Sequence, residues 1–311
     1  MSARRRGATD LAGILLVDKA AGPTSHDVVA AVRRATGEGR VGHAGTLDPM
    51  ATGLLVVLVG PFARLEPYLS SATKSYDATI AFGESTDTDD AEGEVVATAE
   101  VSPRLSDDGH ARQSLAALLG KGSQTPPAYS AIKIAGRTAY EAARAGEVLE
   151  LASRSVTISR ADLLAIHDDP VSWDVAFTVS KGTYIRAIAR DLGESEGTRA
   201  HLTALRRTRS GALSLTDART LDTIADHAAA GGTTAVVAMF ADALAALALP
   251  LVESDRATVV TGRRIPRACA PVEALDGSCV AVTVEGSLAA VYRVAADALV
   301  PEVVLLRGDV A

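Results

Sequence analysis

Hydrophobic and polar positions along this chain follow two periods, which predict a mixture of β-strands and α-helices. The uninterrupted apolar run Leu54–Val59 has the length and β-branched content of a buried strand. Lys74–Phe82 alternates between polar and apolar residues, so a strand here places Tyr76 on its apolar side. The same reasoning predicts strands at Gly13–Val17 and within residues 150–180, where Trp173–Val179 is the clearest.

Apolar residues at helical spacing predict several helices. Ser25 is of a type that favours the N-cap, Val28 and Val32 share one face, and Gly37 supplies a typical end. This pattern predicts a helix over residues 25–36. Further helices are predicted at Arg64–Ser71, within Asp107–Gly120, from Thr138 to Gly146, from the residues after Gly182 as far as Gly193, and over residues 220–248.

The character of the sequence changes after residue 248, where an alanine-rich segment gives way to short apolar runs. Ser278–Val284 and Leu288–Val294 predict strands, and Glu285-Gly286 predicts the hairpin turn between them. These runs indicate a small β-barrel of about sixty residues, a size that is stable when docked on a larger body. We therefore predict two domains, over residues 1–248 and 249–311.

The composition fits a globular protein with a mainly aliphatic core. Of the 311 residues, 48% are hydrophobic but only 4% are aromatic. The net charge of −7 argues against a nucleic-acid binder. Basic residues nevertheless cluster in Arg199–Arg209, and acidic residues cluster in Glu84–Glu94. Because a phosphate responds to charges within about a Debye length, the net charge does not exclude a local basic face.

Cysteine usage and hydropathy predict a cytoplasmic protein. Cys269 and Cys279 are expected to be reduced thiols, because no signal peptide is recognisable and no Cys/His spacing suits a metal. The longest apolar run, Ala235–Leu249, is interrupted by Asp242. No membrane span is therefore expected.

The acidic segment Thr86–Gly93 resembles a calcium-binding loop only in part. Its fifth ligand position is Ala91, Gly93 lies one place late, and Thr98 stands where the closing glutamate belongs. We therefore predict a solvated acidic turn between two strands.

The first candidate for chemistry is the glycine-rich segment Gly42–Leu54. It holds one carboxylate, Asp48, one imidazole, His43, and three glycines in thirteen residues, and it runs into the predicted core strand. Glycine and proline around Asp48 indicate a tight loop that a ligand can approach closely. A carboxylate in such a loop suits nucleophilic or acid–base chemistry. A simple Asp-Pro turn with nothing bound fits the local pattern equally well.

Two further segments carry candidate functional residues. In Ser180–Arg186 a strand ends at a glycine, which places Tyr184 and Arg186 in the first turn of the next helix, where anions are favoured. The alternative is a surface arginine beside a half-buried tyrosine. His201–Arg209 places a basic run after a short amphipathic helix, and it is either a solvated face or a phosphate contact.

Several blocks of sequence occur in a characteristic order between residues 10 and 215. They are Ile14–Lys19, Gly22–Ser25, Gly42–Gly53, Tyr76, Thr86–Asp89, Pro126–Lys133, Ser180–Arg186 and His201–Arg207. Together they resemble the bacterial tRNA pseudouridine-55 synthase family of the TruB type, and residues 249–311 resemble the PUA-like tail of that family. Two positions depart from the family pattern, since Ala20 replaces a proline and Arg64 replaces a lysine.

This resemblance implies an α+β pseudouridine-synthase fold, with a mixed, mainly antiparallel central sheet flanked by helices in a catalytic domain, and a PUA-like C-terminal RNA-binding domain. It implies isomerisation of uridine to pseudouridine at position 55 in the T-loop of tRNA, on a base that is flipped out of the loop. No metal or organic cofactor is expected, because the isomerisation needs neither redox chemistry nor activated water. The implied partner is the T-arm of tRNA; a monomer without an obligate protein partner is expected.

The resemblance also assigns roles to individual residues. Asp48 would be the nucleophile, and Arg186 would pair with it and keep it charged. Tyr76 would stack on the flipped uracil and serve as a proton relay. Tyr184 and Leu205 would form walls of the pocket, and His43 would occupy the space that the flipped bases vacate. Lys19 would bind phosphate. Residues 122–150, with Pro126-Pro127 and Lys133, would form a mobile flap.

Two other functions are compatible with parts of the sequence. Val17-Asp18-Lys19 at a strand end suggests a phosphotransferase of the aspartyl-phosphate kind, but Ala20 stands where such enzymes need a second acid. A non-catalytic RNA-binding or tRNA chaperone protein would account for the basic clusters alone. This second alternative predicts that replacing Asp48 by asparagine leaves every activity intact.

Overall fold

The computed structural model describes residues 9, 11–130, 132–134, 136–145, 147 and 149–306. The basic N-terminal residues 1–6 and the predicted helix end at Gly146 lie outside this range. The α-helices are α1 Ser25–Thr36, α2 Glu66–Ser70, α3 Asp108–Ala117, α4 Ala139–Arg144, α5 Ile185–Ser195, α6 Leu221–Val237, α7 Ala243–Leu247 and α8 Arg256–Val260, with 3₁₀ turns at Gly60–Leu65, Pro103–Ser106, Leu215–Asp217 and Arg267–Cys269.

The strands form one large sheet, one smaller sheet and two short hairpins. They are β1 Gly13–Lys19, β2 Val41–Ala44, β3 Thr52–Val59, β4 Lys74–Phe82, β5 Glu84–Thr86, β6 Val95–Thr98, β7 Gly120–Gln124, β8 Lys133–Ile134, β9 Arg137–Thr138, β10 Arg154–Asp168, β11 Val171–Val179, β12 Ala200–Ser210, β13 Leu213–Ser214, β14 Phe240–Ala241, β15 Leu251–Glu253, β16 Ile265–Pro266, β17 Cys279–Val284, β18 Ser287–Val294 and β19 Ala298–Val304.

The large sheet is mixed and mainly antiparallel, which confirms the predicted architecture. Its strand order is β14-β1-β3-β12-β4-β11-β10-β7, with β2 beside β3 and β13 beside β12. The parallel contact joins β3 to β12, where Thr52 pairs with Arg206 and Gly53 pairs with Arg207. This contact brings the end of the first glycine-rich segment against the basic run near residue 207.

The central strands β1 and β3 are buried on both faces. On one face, Leu15, Val57 and their neighbours pack with α1, α3 and α5 in a core that also contains Trp173. On the other face, Ile14 and Leu58 share a core with residues of the C-terminal sheet. A strand that is covered on both sides needs a continuous apolar run rather than alternation, which explains the sequence of β3.

The C-terminal elements form a five-stranded sheet in the order β15-β17-β18-β19-β16. The predicted hairpin turn is confirmed, since Glu285 and Gly286 both adopt positive φ, at 52° and 73°. Because this sheet shares an apolar core with β1 and β3, its stability depends on the rest of the chain. The boundary at residue 249 stays a prediction.

Several predicted helix ends differ from the structure for identifiable reasons. The N-cap of α1 is Thr24, which forms a capping box with Asp27, because Ser25 uses its hydroxyl elsewhere. Helix α5 continues through Gly193, where a Cβ atom would lie 2.5 Å from the backbone nitrogen of Ala200. This glycine therefore permits close packing of α5 on β12 and does not end the helix.

The alanine-rich segment 220–248 is not one helix. Helix α6 contains Gly232 in a non-helical conformation, and a short strand separates α6 from α7. In the part of the chain that the structure describes, no helix is both long and apolar enough to cross a membrane.

Candidate active site

A cavity of about 610 Å³ lies between the glycine-rich loop, strand β4 and the start of α5. The structure therefore brings together predicted site residues from four separate segments of the sequence. Those that line the cavity are Asp48, Tyr76, Tyr184, Arg186 and Leu205. His43 and Lys19 do not line it. Tyr76 and Leu205 are less than a tenth exposed, so they form apolar walls around the carboxylate.

The centre of the cavity is an ion pair between residues that are far apart in the sequence. Nε of Arg186 lies 3.0 Å from Oδ2 of Asp48 and 3.5 Å from Oδ2 of Asp90. The side chain of Arg186 is 5% exposed, whereas that of Asp48 is 36% exposed. Asp48 is thus open to the cavity while its cationic partner is enclosed behind it.

The guanidinium of Arg186 also connects two other segments. Its Nη1 donates a hydrogen bond to the carbonyl oxygen of Thr88 at 2.7 Å, and its Nη2 donates to that of Tyr129 at 3.0 Å. The Nε–H of Arg186 forms no hydrogen bond with either carboxylate, although Asp48 lies at ion-pair distance. Arg186 therefore fixes the walls of the site by hydrogen bonds and holds Asp48 by charge.

The acidic segment 86–93 forms the predicted turn between two strands, β5 and β6, but two of its acids are not solvated as the sequence predicts. Asp90 is 3% exposed and faces Arg186. Asp89 forms an ion pair with Arg190 at 3.0 Å; burial raises the pKa of Asp89, and Arg190 and Arg186 oppose this shift. Sequence reasoning missed both acids. The available signal was Arg186 and Arg190, which lie four residues apart and so on one face of α5. Two such cations on one face call for nearby acids, and Asp89 and Asp90 are adjacent in the sequence.

Two buried side chains hold the loop that carries Asp48. Oγ of Ser25 donates to the carbonyl oxygen of Leu47 and accepts from its N–H, each at 2.9 Å. Arg207 is 1% exposed and donates to three carbonyl oxygens, those of Leu54 at 2.7 Å, Gly45 at 3.0 Å and Thr46 at 3.2 Å. An irregular loop cannot pair these carbonyl groups itself, so the arginine does so.

Lys19 belongs to the same scaffold, and its position does not fit the expected phosphate contact. It is 0% exposed, and its Nζ donates to the carbonyl oxygens of Ala20 at 2.9 Å, Pro49 at 3.0 Å and Ala51 at 2.7 Å. An ammonium group has three protons. All three protons are donated to these carbonyl oxygens, of which those of Pro49 and Ala51 lie just after Asp48 in the chain. No proton remains for a phosphate.

His43 lies behind the cavity wall on β2. Its ring packs edge-on against His26, which lines the cavity, with 5.6 Å between the ring centroids. Burial lowers the pKa of His43, and the neighbouring His26 and Arg207 lower it further. Among the described residues its buried Nδ1 has no hydrogen-bond partner. His43 therefore supports the ring of His26 from behind the cavity wall.

Tyr184 is the N-cap of α5 and not a residue of its first turn. The side-chain amide of Gln124 accepts from the N–H of Tyr184 at 2.9 Å and donates to its carbonyl oxygen at 3.0 Å. Thr125 and Tyr129 are held in turn by Arg190 and Arg186. The first part of the predicted flap is therefore fixed to α5 as a wall of the site. Motion of the remainder stays a prediction.

The basic run near residue 206 lies within strand β12 rather than simply following a helix. Arg207 is buried as described above, and Arg206 pairs with Asp18 at 2.7 Å. Arg209 is exposed. A second, more open cavity of about 710 Å³ contains Arg206 together with Asp77, Glu92 and Asp174. It lacks the buried arginine and the aromatic walls of the first cavity.

Known protein families and relatives match most of this chain. The profile of the TruB family pseudouridylate synthase N-terminal domain matches residues 33–185, and that of the tRNA pseudouridylate synthase B C-terminal domain matches residues 186–252. A protein of Nocardia farcinica named tRNA pseudouridine synthase B is 51% identical over 228 residues, 73% of this chain and 74% of that protein. One of Rhodococcus jostii with the same name is 47% identical over 271 residues, 85% and 86% of the two chains.

Solved structures show the same fold at low sequence identity. A Cbf5-Nop10-Gar1 complex contains a chain with a TM-score of 0.74 and 23% identity, which covers 95% of this chain and 85% of its own. The archaeal box H/ACA sRNP Nop10-Cbf5 complex gives a TM-score of 0.71 at 22% identity over 96% and 87%. The family profiles and the relatives near half identity show that this chain belongs to the TruB family of pseudouridylate synthases.

Proposed function

We propose that this protein isomerises uridine to pseudouridine in the T-loop of tRNA, at position 55, with Asp48 as the nucleophile. The observation that carries the proposal is the pairing of Asp48 with the buried Arg186 at the open side of an aromatic-walled cavity. The names of the relatives near half identity support tRNA as the substrate. The expected cytoplasmic location and monomeric state belong to the same proposal.

The reaction requires the bond between uracil and ribose to break and the base to reattach through C5. An ionised carboxylate beside the nucleoside serves each route open to Asp48, whether it attacks the sugar, attacks the base or removes a 2′ proton. The guanidinium of Arg186, 3.0 Å from the carboxylate, orients it at the open side of the cavity. Every one of these routes starts from the same group.

The cavity suits an extruded nucleobase better than a stacked one. A base within a folded T-loop must leave its stack, which costs a few kcal/mol. Tyr76 offers an aromatic surface for the uracil and a hydroxyl for proton relay, while Tyr184 and Leu205 enclose the base. Stacking in this cavity compensates for the stacking that is lost in the RNA.

The test compares Asp48→Asn with a matched control, Asp77→Asn. Asp77 is the strand neighbour of Tyr76 and lines the second cavity. Tritium release from a T-arm stem-loop with C5-labelled uridine measures turnover, and filter binding measures affinity for the RNA. We expect Asp48→Asn to lose at least about a thousandfold in turnover while affinity is retained, and Asp77→Asn to behave as wild type. Full turnover in Asp48→Asn would favour the non-catalytic RNA-binding alternative.

A further inference from the structure

Arg154 is a cation at the edge of the catalytic cavity that neither the sequence motifs nor the proposed chemistry uses. It is the first residue of β10 and pairs with Gln124 of β7. Its guanidinium carbon lies 5.5 Å from the centroid of the Tyr184 ring. Its Nη1 lies 3.4 Å from the position that a Cβ atom on Gly182 would occupy. The side chain is therefore placed against the turn that leads into α5.

The guanidinium of Arg154 lacks the partners that nearby arginines have. In residues 11–130 and the other described ranges, no carboxylate lies within ion-pair distance of Arg154, and no acceptor takes a hydrogen bond from it. By contrast, Arg160 on the same strand pairs with Asp162 at 2.6 Å, and Arg190 pairs with Asp89. Arg154 is half-buried and stacks on an aromatic ring, yet within the part of the chain that the structure describes its five N–H donors meet no acceptor.

The surroundings of Arg154 indicate which acceptor these donors would meet. Gly182, Thr183 and Tyr184 line the cavity that Arg154 adjoins. Lys181 is exposed beside them and adds a second positive charge. When a nucleotide is flipped, its base enters the cavity, but its two flanking phosphates remain at the entrance. A guanidinium matches a phosphate in charge and in geometry.

We propose that Arg154, assisted by Lys181, binds the backbone phosphate that flanks the flipped nucleotide, while its stacking on Tyr184 fixes that ring against the base. This assignment rests on the proposed function, because it needs RNA at the cavity entrance. It adds a phosphate site that couples backbone binding to the shape of the pocket. The phosphate lies on either the 5′ or the 3′ side of the target, and the two arms of the experiment distinguish them.

Salt dependence of RNA affinity tests the proposal first. Each phosphate contact on a single-stranded segment contributes about 0.7 to the slope of log Kd against log salt concentration. We expect Arg154→Met to lose about this much slope and about tenfold in affinity at low salt, with thermal unfolding unchanged. Arg154→Lys retains the charge and therefore most of the slope. Arg160→Met is the matched control on the same strand and keeps the wild-type slope.

Neutral methylphosphonate linkages locate the contact. On the side that Arg154 contacts, the neutral linkage weakens the affinity of wild type but does not weaken that of Arg154→Met any further. On the other side, the linkage changes the affinity of both proteins equally. A wild-type salt slope in Arg154→Met overturns the proposal, and so does a loss of kcat alone, which would leave Arg154 as a support for Tyr184 only. If wild type neither binds nor converts the stem-loop, the proposed function fails instead.

Discussion

Replacement of Lys19 by methionine tests how the Asp48 loop is held. The ammonium group bridges the carbonyl oxygens of Ala20, Pro49 and Ala51 from a position with no solvent exposure. Methionine has a similar length and an apolar end, so it fills the space without making a hydrogen bond. The three carbonyl groups then lose their donor in a place that water reaches only if the loop moves.

The expected cost follows from these contacts. Hydrogen bonds from a charged donor contribute roughly 1.5–3 kcal/mol each, and an unsatisfied buried carbonyl costs about 1–3 kcal/mol. These terms are not additive, because one movement of the loop relieves all three acceptors. Burial also lowers the pKa of Lys19, so part of the gain is offset by desolvation in wild type. We expect the free energy of unfolding to fall by about 4 kcal/mol.

Urea unfolding, tritium release and RNA affinity distinguish this role from phosphate binding. A loop support predicts that Lys19→Met loses stability and most of its turnover, whereas the salt slope of RNA binding stays at the wild-type value. A phosphate ligand predicts the reverse, with normal stability and a smaller slope. Unchanged unfolding in Lys19→Met would refute the structural reasoning. Arg206→Met is the control, because Arg206 is a partly exposed cation near the same strand ends.

Two further predictions concern stability. Burial opposes ionisation of Glu38, but hydrogen bonds from Arg40 and Thr9 lower its pKa to about 2. The folded state then binds fewer protons than the unfolded state, so the free energy of unfolding falls by about 3 kcal/mol as the pH drops from about 4.5 to about 2. Glu38→Gln should flatten this pH dependence when unfolding is measured across the acid range. Gly53 has a φ of 96°, and an added Cβ atom would lie 2.4 Å from the carbonyl oxygen of Arg207. Gly53→Ala should therefore lower the free energy of unfolding in urea by more than about 3 kcal/mol. Gly37 has a φ of 67° and open space around it, so Gly37→Ala should cost about 1 kcal/mol, and equal costs would contradict the steric argument.

Elements with a strong local pattern were predictable from the sequence. The strands near Leu54–Val59 and Lys74–Phe82 and the helix that begins at Ser25 appear with nearly the predicted bounds. Each has a clear apolar pattern, which is continuous in the first strand because that strand is covered on both faces, and periodic in the other two elements. Segment 220–248 was not predictable in this way. Its alanine content favours helix throughout, while the break at Gly232 and the pairing of Phe240 with Leu15 depend on tertiary contacts.

The same distinction holds for the candidate site. Asp48 and Arg186 could be identified because their motifs resemble those of a known family, although the local pattern of each also fits a residue without a function. The structure places the two side chains in contact. The roles of Lys19 and Asp90 could not be predicted from charge. A lysine beside a loop and an aspartate in an acidic turn have the sequence pattern of solvated residues, and only the fold shows that both are buried.

Three cations explain how an irregular loop holds a catalytic carboxylate in one position. The loop forms few hydrogen bonds within itself, so its carbonyl groups need donors from elsewhere. Lys19 and Arg207 supply them from β1 and β12. Arg186 of α5 instead pairs with Asp48 by charge and donates to the carbonyl oxygens of Thr88 and Tyr129 beside the loop. The positive charges that the sequence offers as phosphate ligands are thus partly consumed by the protein itself. This is why a chain of net charge −7 can still act on RNA: the buried cations shape the site, and the half-buried Arg154 and the exposed Lys181 are left to meet the phosphates.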